Sequence, residues 1–387
     1  MLLPKQSGFN VVALQNFDPQ AFLDRVWQRE ALLLKDALPG FQCPLDGNEL
    51  AGLACEDGVD SRIIIENDGV WELRNGPFKE DDFSALPASR WTLLVQSVDH
   101  YLPELADLLA HFRFIPRWRT EDIMVSYACD GGSVGPHYDQ YDVFLVQGSG
   151  RRRWKVGGHC SVHTPLASQT GLRLLEDFSV EQEFLLDAGD VLYVPPGVAH
   201  WGIAEGDDCI TLSVGFRAPS EASLLSDYGD DIASFLDESI RYQDPKLDAK
   251  AHPAEISGDV RQHVKSLILQ HIDNDAHLGR WFGEMMTRVP DQENFVDDSL
   301  SLEEFLLELA DGESLQLRLG ARLAFDDDYL FADGLGFPYP LDQRDDVKAL
   351  CEIECGITID IAHRLSPDMM YALFCNGTLC FYDDTQD

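Results

Sequence analysis

The chain has 387 residues, of which 45% are hydrophobic, enough for two or three domains with substantial cores. It carries 68 acidic against 29 basic residues, a formal charge of −39. This argues against binding to a phosphate backbone, because such binding depends on clustered Lys and Arg. The same charge favours a basic partner through long-range attraction, although general acidity, as in salt-adapted proteins, explains it equally well.

The cysteines and the hydropathy predict a cytoplasmic protein. Nine cysteines occur and none forms a C-x-x-C pair, which indicates reduced thiols and gives no sign of a zinc ribbon. Residues 1–6 lack the apolar core of a signal peptide. No apolar run is long enough to cross a bilayer, so no membrane association is expected.

The N-terminal part mixes predicted helices and strands. Residues 18–30 place an apolar stripe on one helical face, and residues 102–112 form a second amphipathic pattern. Between them, residues 61–67 predict a buried strand. Its hairpin partner is expected at 70–74, across the turn Asp68-Gly69.

Between residues 120 and 217 the pattern changes to short strands punctuated by Gly and Pro, which is typical of a β-sandwich or barrel. The predicted strands are 121–128, 142–147, 151–156, 183–186, 190–194 and 208–216.

A His-x-Asp triplet and a distant histidine predict a metal site in this β-region. His137 and Asp139 follow a glycine-rich turn, and His200 closes a strand that ends in Pro-Pro-Gly-Val-Ala-His. Residues i and i+2 of a strand point the same way, so the first two side chains can converge on one ion. Two imidazoles and one carboxylate leave positions open on an octahedral ion, which suits non-haem Fe(II). The triplet alone favours ordinary hydrogen-bonded histidines, but the full pattern favours a metal.

After residue 218 the chain becomes helical and then mixed. Helices are predicted at 220–242 and 258–289, with Ser220 and Ser257 as caps. A small α+β unit follows. Its predicted elements are a helix opened by Ser299 or Ser301, strands at 315–325, 329–332 and 378–382, and helices at 343–352 and 366–374.

Taken together, the sequence resembles the JmjC branch of the cupin superfamily and, within it, the bacterial ribosomal oxygenases. The matching stretches are 122–126, 135–144, 150–154, 192–197 and 213–219. The resemblance implies an α+β fold built on a double-stranded β-helix, the cupin/JmjC barrel. We therefore expect a catalytic domain at 1–218 with an N-terminal α/β elaboration, a helical dimerisation region at 219–292 and a winged-helix-like domain at 293–387.

The resemblance also implies a reaction. Fe(II), 2-oxoglutarate and O2 would be the reactants, succinate and CO2 the co-products, and an arginine of a large-subunit ribosomal protein the target. The implied partners are a basic ribosomal protein and a second copy of the chain, without direct nucleic-acid binding. The C-terminal unit is rich in acids, so we interpret its winged-helix layout as a packing or protein-contact module.

A cation is needed to hold the distal carboxylate of 2-oxoglutarate. Strand alternation puts Arg152 on the same face as Trp154 and opposite its two arginine neighbours, and the JmjC pattern places its cation on this strand. A guanidinium grips a carboxylate with two parallel hydrogen bonds. Ser126 is implied as a further contact and Thr211 as a weaker one. Solvated arginines and half-buried strand hydroxyls are the alternatives.

The resemblance assigns the substrate pocket to Asp122, Met124 and Tyr141, with Ser213 near the guanidinium of the target arginine. An acid between apolar walls suits an arginine, because the charge pairs with the head group while the walls pack its methylenes. Ordinary core packing is equally open for Met124 and Tyr141. Asp142 is predicted to be a structural acid or one that supports the metal ligands.

Three other functions stay open at this point. The same iron chemistry acts on histidine or methyl-lysine in other JmjC proteins. A non-catalytic cupin binding protein is a second alternative, and a cupin enzyme that uses no 2-oxoglutarate is a third. The sequence leaves undetermined the target residue, the stereochemistry, the affinity, the oligomer size and the metal that would occupy a purified sample.

Overall fold

The structure, a computed structural model, describes residues 14–167, 171–289, 300–353 and 365–381. The strands of the first part are β1 (Leu32–Leu34), β2 (Ser61–Asn67), β3 (Val70–Asn75), β4 (Trp91–Val95), β5 (Thr120–Ala128), β6 (Val143–His159), β7 (Gln182–Leu186), β8 (Val191–Val194) and β9 (Val198–Phe216). Its helices are α1 (Pro19–Arg25), α2 (Gly47–Leu53), α3 (Glu80–Ser84) and α4 (Pro103–Leu108). All nine strands form one antiparallel sheet in the order β1-β8-β6-β9-β5-β4-β2-β3, with β7 added beside β6.

The two longest strands, β6 and β9, form the spine of this sheet. They pair from Val143 opposite Gly215 to His159 opposite Val198. The separate strands predicted at 142–147 and 151–156 are therefore wrong, because β6 continues through its glycines as bulges. The core against the spine is aromatic: Phe144 and Tyr193 are fully buried, with ring centroids 4.9 Å apart.

Helix α1 is shorter than the predicted helix at 18–30. Asp18 caps it by accepting from the backbone N–H of Ala21 at 3.1 Å, and the helix ends at Arg25. Gln28 adopts a left-handed conformation at φ 60°, where its N–H donates to the hydroxyl of Tyr193 at 2.8 Å. Tyr193 of β8, and not a helical carbonyl, therefore satisfies the N–H of Gln28.

The central helical region has its own small core. It comprises α5 (Glu221–Ser234), α6 (Gly258–Ile272) and α7 (Asp275–Thr287). Tyr228, Ile232 and Trp281 are buried together. The single helix predicted at 258–289 is wrong, since Asn274 interrupts it and caps α7 with its side chain. The helix predicted at 220–242 ends early, at Ser234.

The C-terminal part is a separate α+β unit around Phe305, Leu350 and Phe374. Its elements are α8 (Leu302–Asp311), β10 (Leu315–Leu317), β11 (Leu323–Phe325), β12 (Tyr329–Ala332), β13 (Leu335–Pro338), α9 (Arg344–Glu352), α10 (Pro367–Cys375) and β14 (Leu379–Phe381). The single strand predicted at 315–325 is wrong: β10 pairs with β14 and β11 with β12, and Gly320 turns the chain between them at φ 75°. Ser301 is the cap of α8, while Ser299 lies outside the described residues. The winged-helix assignment stays a prediction.

Two further observations bear on the sequence predictions. Across the ranges that the structure describes, no helix is both long and apolar enough to span a bilayer. The cysteines in those ranges are free thiols.

Candidate active site

His137, Asp139 and His200 come together, with one ligand atom from each lying within 4.8 Å of the others. Asp139 Oδ2 lies 3.7 Å from His137 Nε2 and 3.5 Å from His200 Nε2. His200 belongs to β9, but the expected strand at 137–139 is absent. His137 instead sits in an isolated bridge, exchanging backbone hydrogen bonds with His200 at 3.0 and 2.8 Å. This pairing joins the segment around His137 to β9 at the two histidines of the cluster.

The backbone around the triplet is shaped by a glycine that no other residue can replace without strain. Gly135 has φ 83°, and a Cβ there would lie 2.6 Å from Leu174 and 3.2 Å from Trp71. On the other side of the triplet, Gly197 N–H donates to the carbonyl of Asp139 at 2.7 Å. The glycine-rich turn and the Pro-Pro-Gly turn therefore fix the two ends of the ligand segment.

Both imidazoles present the same nitrogen to the centre of the cluster. Nδ1 of His137 lies 3.0 Å from the carbonyl of Gly135, and Nδ1 of His200 lies 3.0 Å from the carbonyl of Val198. A carbonyl only accepts, so each Nδ1 carries the proton and each Nε2 offers a lone pair. This set of donor atoms could hold a metal ion.

The pKa shifts of Asp139 and His137 also suit metal binding. Burial raises the pKa of Asp139, but the neighbouring His137, His200 and Tyr141 outweigh it and lower the pKa to about 2. Burial and the neighbouring His200 lower the pKa of His137 below its usual value. At neutral pH the set is therefore an anionic carboxylate with a neutral imidazole at His137, the protonation states that bind metal ions.

These three ligands open onto a cavity of about 650 Å³ that runs through the mouth of the barrel. Of the ten residues predicted for the site, nine line it: Asp122, Met124, Ser126, His137, Asp139, Tyr141, Arg152, His200 and Ser213. Thr211 does not line the cavity. Its hydroxyl donates to Gln147 Oε1 at 3.1 Å, so the weaker contact assigned to it stays a prediction.

Arg152 is a buried cation with an unused donor. Its side chain is 3% exposed, and its Nε donates to Cys209 Sγ at 3.4 Å. One terminal guanidinium nitrogen has no hydrogen-bond partner among the described residues. The ring of Trp154 lies 5.9 Å from the guanidinium carbon. A buried guanidinium with an unpaired N–H is poised for an anion, since leaving it unpaired is unfavourable.

Ser126 shares the cavity with Arg152. It is buried on β5, and its hydroxyl reaches the carbonyl of Thr211 only at 3.4 Å. This long contact leaves the hydroxyl able to turn towards an anion held by Arg152.

Asp122, Met124 and Ser126 alternate along β5 and line one wall of the cavity. Asp122 is buried, and burial raises the pKa of its carboxyl. Met124 pairs in register with Ser213 of β9, which places these two side chains together. Tyr141 is 44% exposed at the rim, and burial of its hydroxyl near Asp139 raises its pKa, so it stays protonated.

Asp142 has the structural role that the sequence predicted. It is fully buried and accepts from the hydroxyl of Tyr193 at 2.6 Å, from Gln28 at 3.0 Å and from Arg119 at 3.3 Å. It therefore links the turn after α1 to the barrel.

Sequence reasoning missed the residues that support the site. Gln96 and Ser97 donate to Asp122, and Cys209 contacts Arg152. The only signal for the first two was a polar pair at the end of an apolar strand. Nothing in the local sequence distinguishes Cys209 from an ordinary buried thiol.

Comparison with known proteins gives consistent results. A JmjC domain model matches residues 107–224. The ribosomal protein uL16 3-hydroxylase of Escherichia coli is 36% identical over 331 residues, covering 82% of this chain and 85% of the relative. A probable ribosomal oxygenase of Haemophilus influenzae is 38% identical over 235 residues, covering 60% of this chain and 56% of that protein.

Solved structures agree over nearly the whole chain. The E. coli ribosomal oxygenase YcfD superposes with a TM-score of 0.85 at 32% identity, covering 96% of this chain and all of YcfD. A structure of YcfD in complex with cobalt and 2-oxoglutarate matches with a TM-score of 0.84 at 32% identity, over 96% of this chain and 99% of that one. This chain therefore belongs to the JmjC-type cupin family of ribosomal oxygenases.

Proposed function

We propose that this protein is an Fe(II)- and 2-oxoglutarate-dependent dioxygenase that hydroxylates an arginine side chain of a large-subunit ribosomal protein. The observation that carries the proposal is one cavity holding three groups: the His137, Asp139 and His200 cluster, the guanidinium of Arg152 with one unpaired terminal nitrogen, and the buried carboxylate of Asp122. A metal site, an anion site and a cation site are what this reaction needs.

The residues fit the metal and the co-substrate. His137 Nε2, His200 Nε2 and the Asp139 carboxylate would hold Fe(II), and Arg152 with Ser126 would hold the distal carboxylate of 2-oxoglutarate. When bound, the metal and 2-oxoglutarate supply the activation of O2. The chain supplies orientation: Arg152 would fix one end of the co-substrate, and the side chains of β5 would place the target side chain beside the metal.

Asp122 would hold the substrate guanidinium. The hydrogen bonds that the described residues donate to its carboxylate all end on Oδ2. Its other oxygen lies beside Gly215, where an added Cβ would come within 3.7 Å. Gly215 places no side chain against this oxygen and so leaves room for a ligand group. Met124 and the ring of Tyr141 would pack the methylenes, and Ser213 would lie near the guanidinium.

The test is mass spectrometry of ribosomal proteins treated with purified enzyme, Fe(II) and 2-oxoglutarate. We expect one added oxygen on an arginine of a large-subunit protein, and none when 2-oxoglutarate is omitted. Oxygen on a histidine, or loss of a methyl group from lysine, would instead assign one of the other JmjC activities. No change in any protein would contradict the proposal.

Substitution of Asp122 tests the proposed arginine pocket separately from the metal and 2-oxoglutarate sites. Asp122→Asn keeps the shape but removes the charge, so the KM for an arginine peptide should rise about tenfold to a hundredfold, the range for losing a charged hydrogen bond. Metal content and the KM for 2-oxoglutarate should not change, because Asp122 does not contact those groups. Steady-state kinetics with each reactant varied in turn measures both. An unchanged peptide KM would show that the target side chain binds elsewhere.

We further propose that the helical region at 219–292 forms a homodimer. Roughly half of the large apolar side chains exposed on the described residues lie there, including Phe235, Ile240, Ile268 and Leu269. Exposed apolar area concentrated in one region favours a protein interface. The overall negative charge favours a basic ribosomal protein over nucleic acid as the other partner.

Sedimentation velocity tests the dimer. The wild-type chain should sediment as a dimer at micromolar concentration, and Ile268→Asp with Leu269→Asp should give a monomer, because buried unpaired charges oppose association. Leu307→Asp is the matched control, since Leu307 is 58% exposed on α8 of the C-terminal unit. A monomeric wild type, or equal dissociation by the control, would contradict the assignment.

A further inference from the structure

The chain leaving β4 brings three donors to one oxygen of Asp122. Gln96 Nε2, Ser97 N and Ser97 Oγ donate to Oδ2 at 2.8, 2.9 and 2.8 Å. We propose that Gln96 and Ser97 are positioning residues that hold Asp122 as an anion with its second oxygen free, and that they thereby set the affinity for the cationic side chain of the substrate. This inference rests on the proposed role of Asp122 as the substrate-binding acid.

The sheet explains why these donors reach Asp122. Strand β4 runs antiparallel to β5, with Val95 opposite Val125, so the end of β4 arrives beside the start of β5. Asp122 lies there in a break of register, between Thr120 and Ile123. A bulge of this kind re-aims a side chain, and the donors fix where it points.

Ser97 adopts a conformation that serves this contact. Its backbone is left-handed, at φ 53° and ψ 40°, between the end of β4 and the turn at Val98–His100. That conformation is uncommon for a residue other than glycine and persists only when its surroundings hold it. Here it lets the N–H and the hydroxyl of one residue face the same carboxylate oxygen.

The donors oppose the effect of burial on Asp122. Burial raises the pKa of this carboxyl, the hydrogen bonds from Ser97 and Gln96 lower it, and the negative charge of Glu121 raises it. Without the donors, the acid would keep its proton at higher pH. A protonated carboxyl has no charge to offer a guanidinium, so positioning and charge are lost together.

Other charged or titratable groups face Asp122 from the elements packed around it. Asp99 on the adjacent turn has a pKa raised to about 7 by burial, and the charge of Asp122 adds to that rise. Tyr141 on the rim stays protonated near the same charge. Glu121 is paired with Arg217 at 2.6 Å and with Arg322 at 2.9 Å, which offsets its own charge.

The experiment replaces the donors one at a time in the full-length, metal-loaded enzyme. Ser97→Gly retains the backbone donor and the left-handed conformation and removes the hydroxyl, while Gln96→Met removes the amide at similar size. Each should raise the KM for an arginine peptide about three- to tenfold, with kcat and the KM for 2-oxoglutarate unchanged. The acid limb of kcat/KM for the peptide should move to higher pH, and farther in Gln96→Glu, which adds a like charge.

Two parallel variants separate the possible failures. If Asp122→Asn leaves the peptide KM unchanged, the substrate role of Asp122 is wrong and the present inference falls with it. If Asp122→Asn raises the KM but Ser97→Gly and Gln96→Met behave as wild type, the inference alone is wrong.

Asp99→Asn keeps an acceptor for the N–H of Ile123. The acid limb should persist in that variant, and its disappearance would assign the limb to Asp99 and overturn the electrostatic part.

Discussion

Replacing Asp139 with alanine is expected to remove the bound metal and to lower peptide-dependent succinate formation by about a thousandfold or more. Asp139 supplies the anion of the ligand set, and its carboxylate lies within 3.7 Å of both imidazole Nε2 atoms. Without it, two imidazoles and no anion remain, and they hold a divalent ion weakly. His137→Ala is also expected to lower metal content and turnover, because it removes one of the three residues of the cluster.

Metal content of the purified variants, measured by elemental analysis after reconstitution with Fe(II), separates loss of the ion from loss of the fold. His163→Ala is the matched control, since His163 is an exposed loop histidine whose side chain faces solvent. It should retain both metal and turnover. Full metal content and full turnover in Asp139→Ala would show that the ion binds elsewhere.

The clustering of His137, Asp139 and His200 was predictable because the spacing of these residues is visible in the sequence itself. Two ligands two residues apart and a third after a Pro-Pro-Gly turn form a pattern that few other structures require. The backbone that presents them was not predictable in the same way. His137 lies in an isolated bridge with His200, and that bridge depends on a residue 63 positions away in the chain.

The strand pattern was right in type and wrong in continuity. Gly148 and Gly150 look like turn residues between two strands, yet β6 runs straight through them. The pairing with β9 shifts register on both sides of Ser149. A Cβ at Gly150 would lie 2.8 Å from the carbonyl of Asp208, so this glycine marks a bulge where two backbones approach closely. Sequence alone does not distinguish a glycine that ends a strand from one that bends it.

Residues that act through others escaped prediction for a similar reason. The polar pair Gln96-Ser97 does not reveal its partner in the sequence, because only the antiparallel pairing of β4 and β5 brings Ser97 to Asp122. The role of Cys209 likewise becomes visible only in the structure, where its sulfur accepts from the Nε of Arg152 at 3.4 Å. Such contacts join residues far apart in the chain, and a single sequence contains no record of them.

Arg152 is the residue whose loss should most affect the co-substrate. We expect Arg152→Met to raise the dissociation constant for 2-oxoglutarate about a hundredfold, which corresponds to roughly 3 kcal/mol for a buried charge-assisted pair. Methionine keeps an unbranched apolar side chain at this buried position but offers no donor. Arg152→Lys should recover part of the affinity, because an ammonium retains the charge but lacks the planar fork that engages both carboxylate oxygens.

Isothermal titration of the Mn-substituted enzyme with 2-oxoglutarate measures this binding without turnover. The matched control is Arg153→Met, one residue along the same strand and on its opposite face. Arg153 pairs at the surface with Glu183 at 2.7 Å and with Glu205 at 2.5 Å. Exposed pairs contribute little, so this variant should bind 2-oxoglutarate like the wild type.

Equal weakening by the two substitutions would mean that the strand has been disturbed as a whole, and unchanged binding in Arg152→Met would place the carboxylate site elsewhere. The alternation of β6 predicts a large difference between two adjacent arginines, because only one of them has its guanidinium inside the barrel.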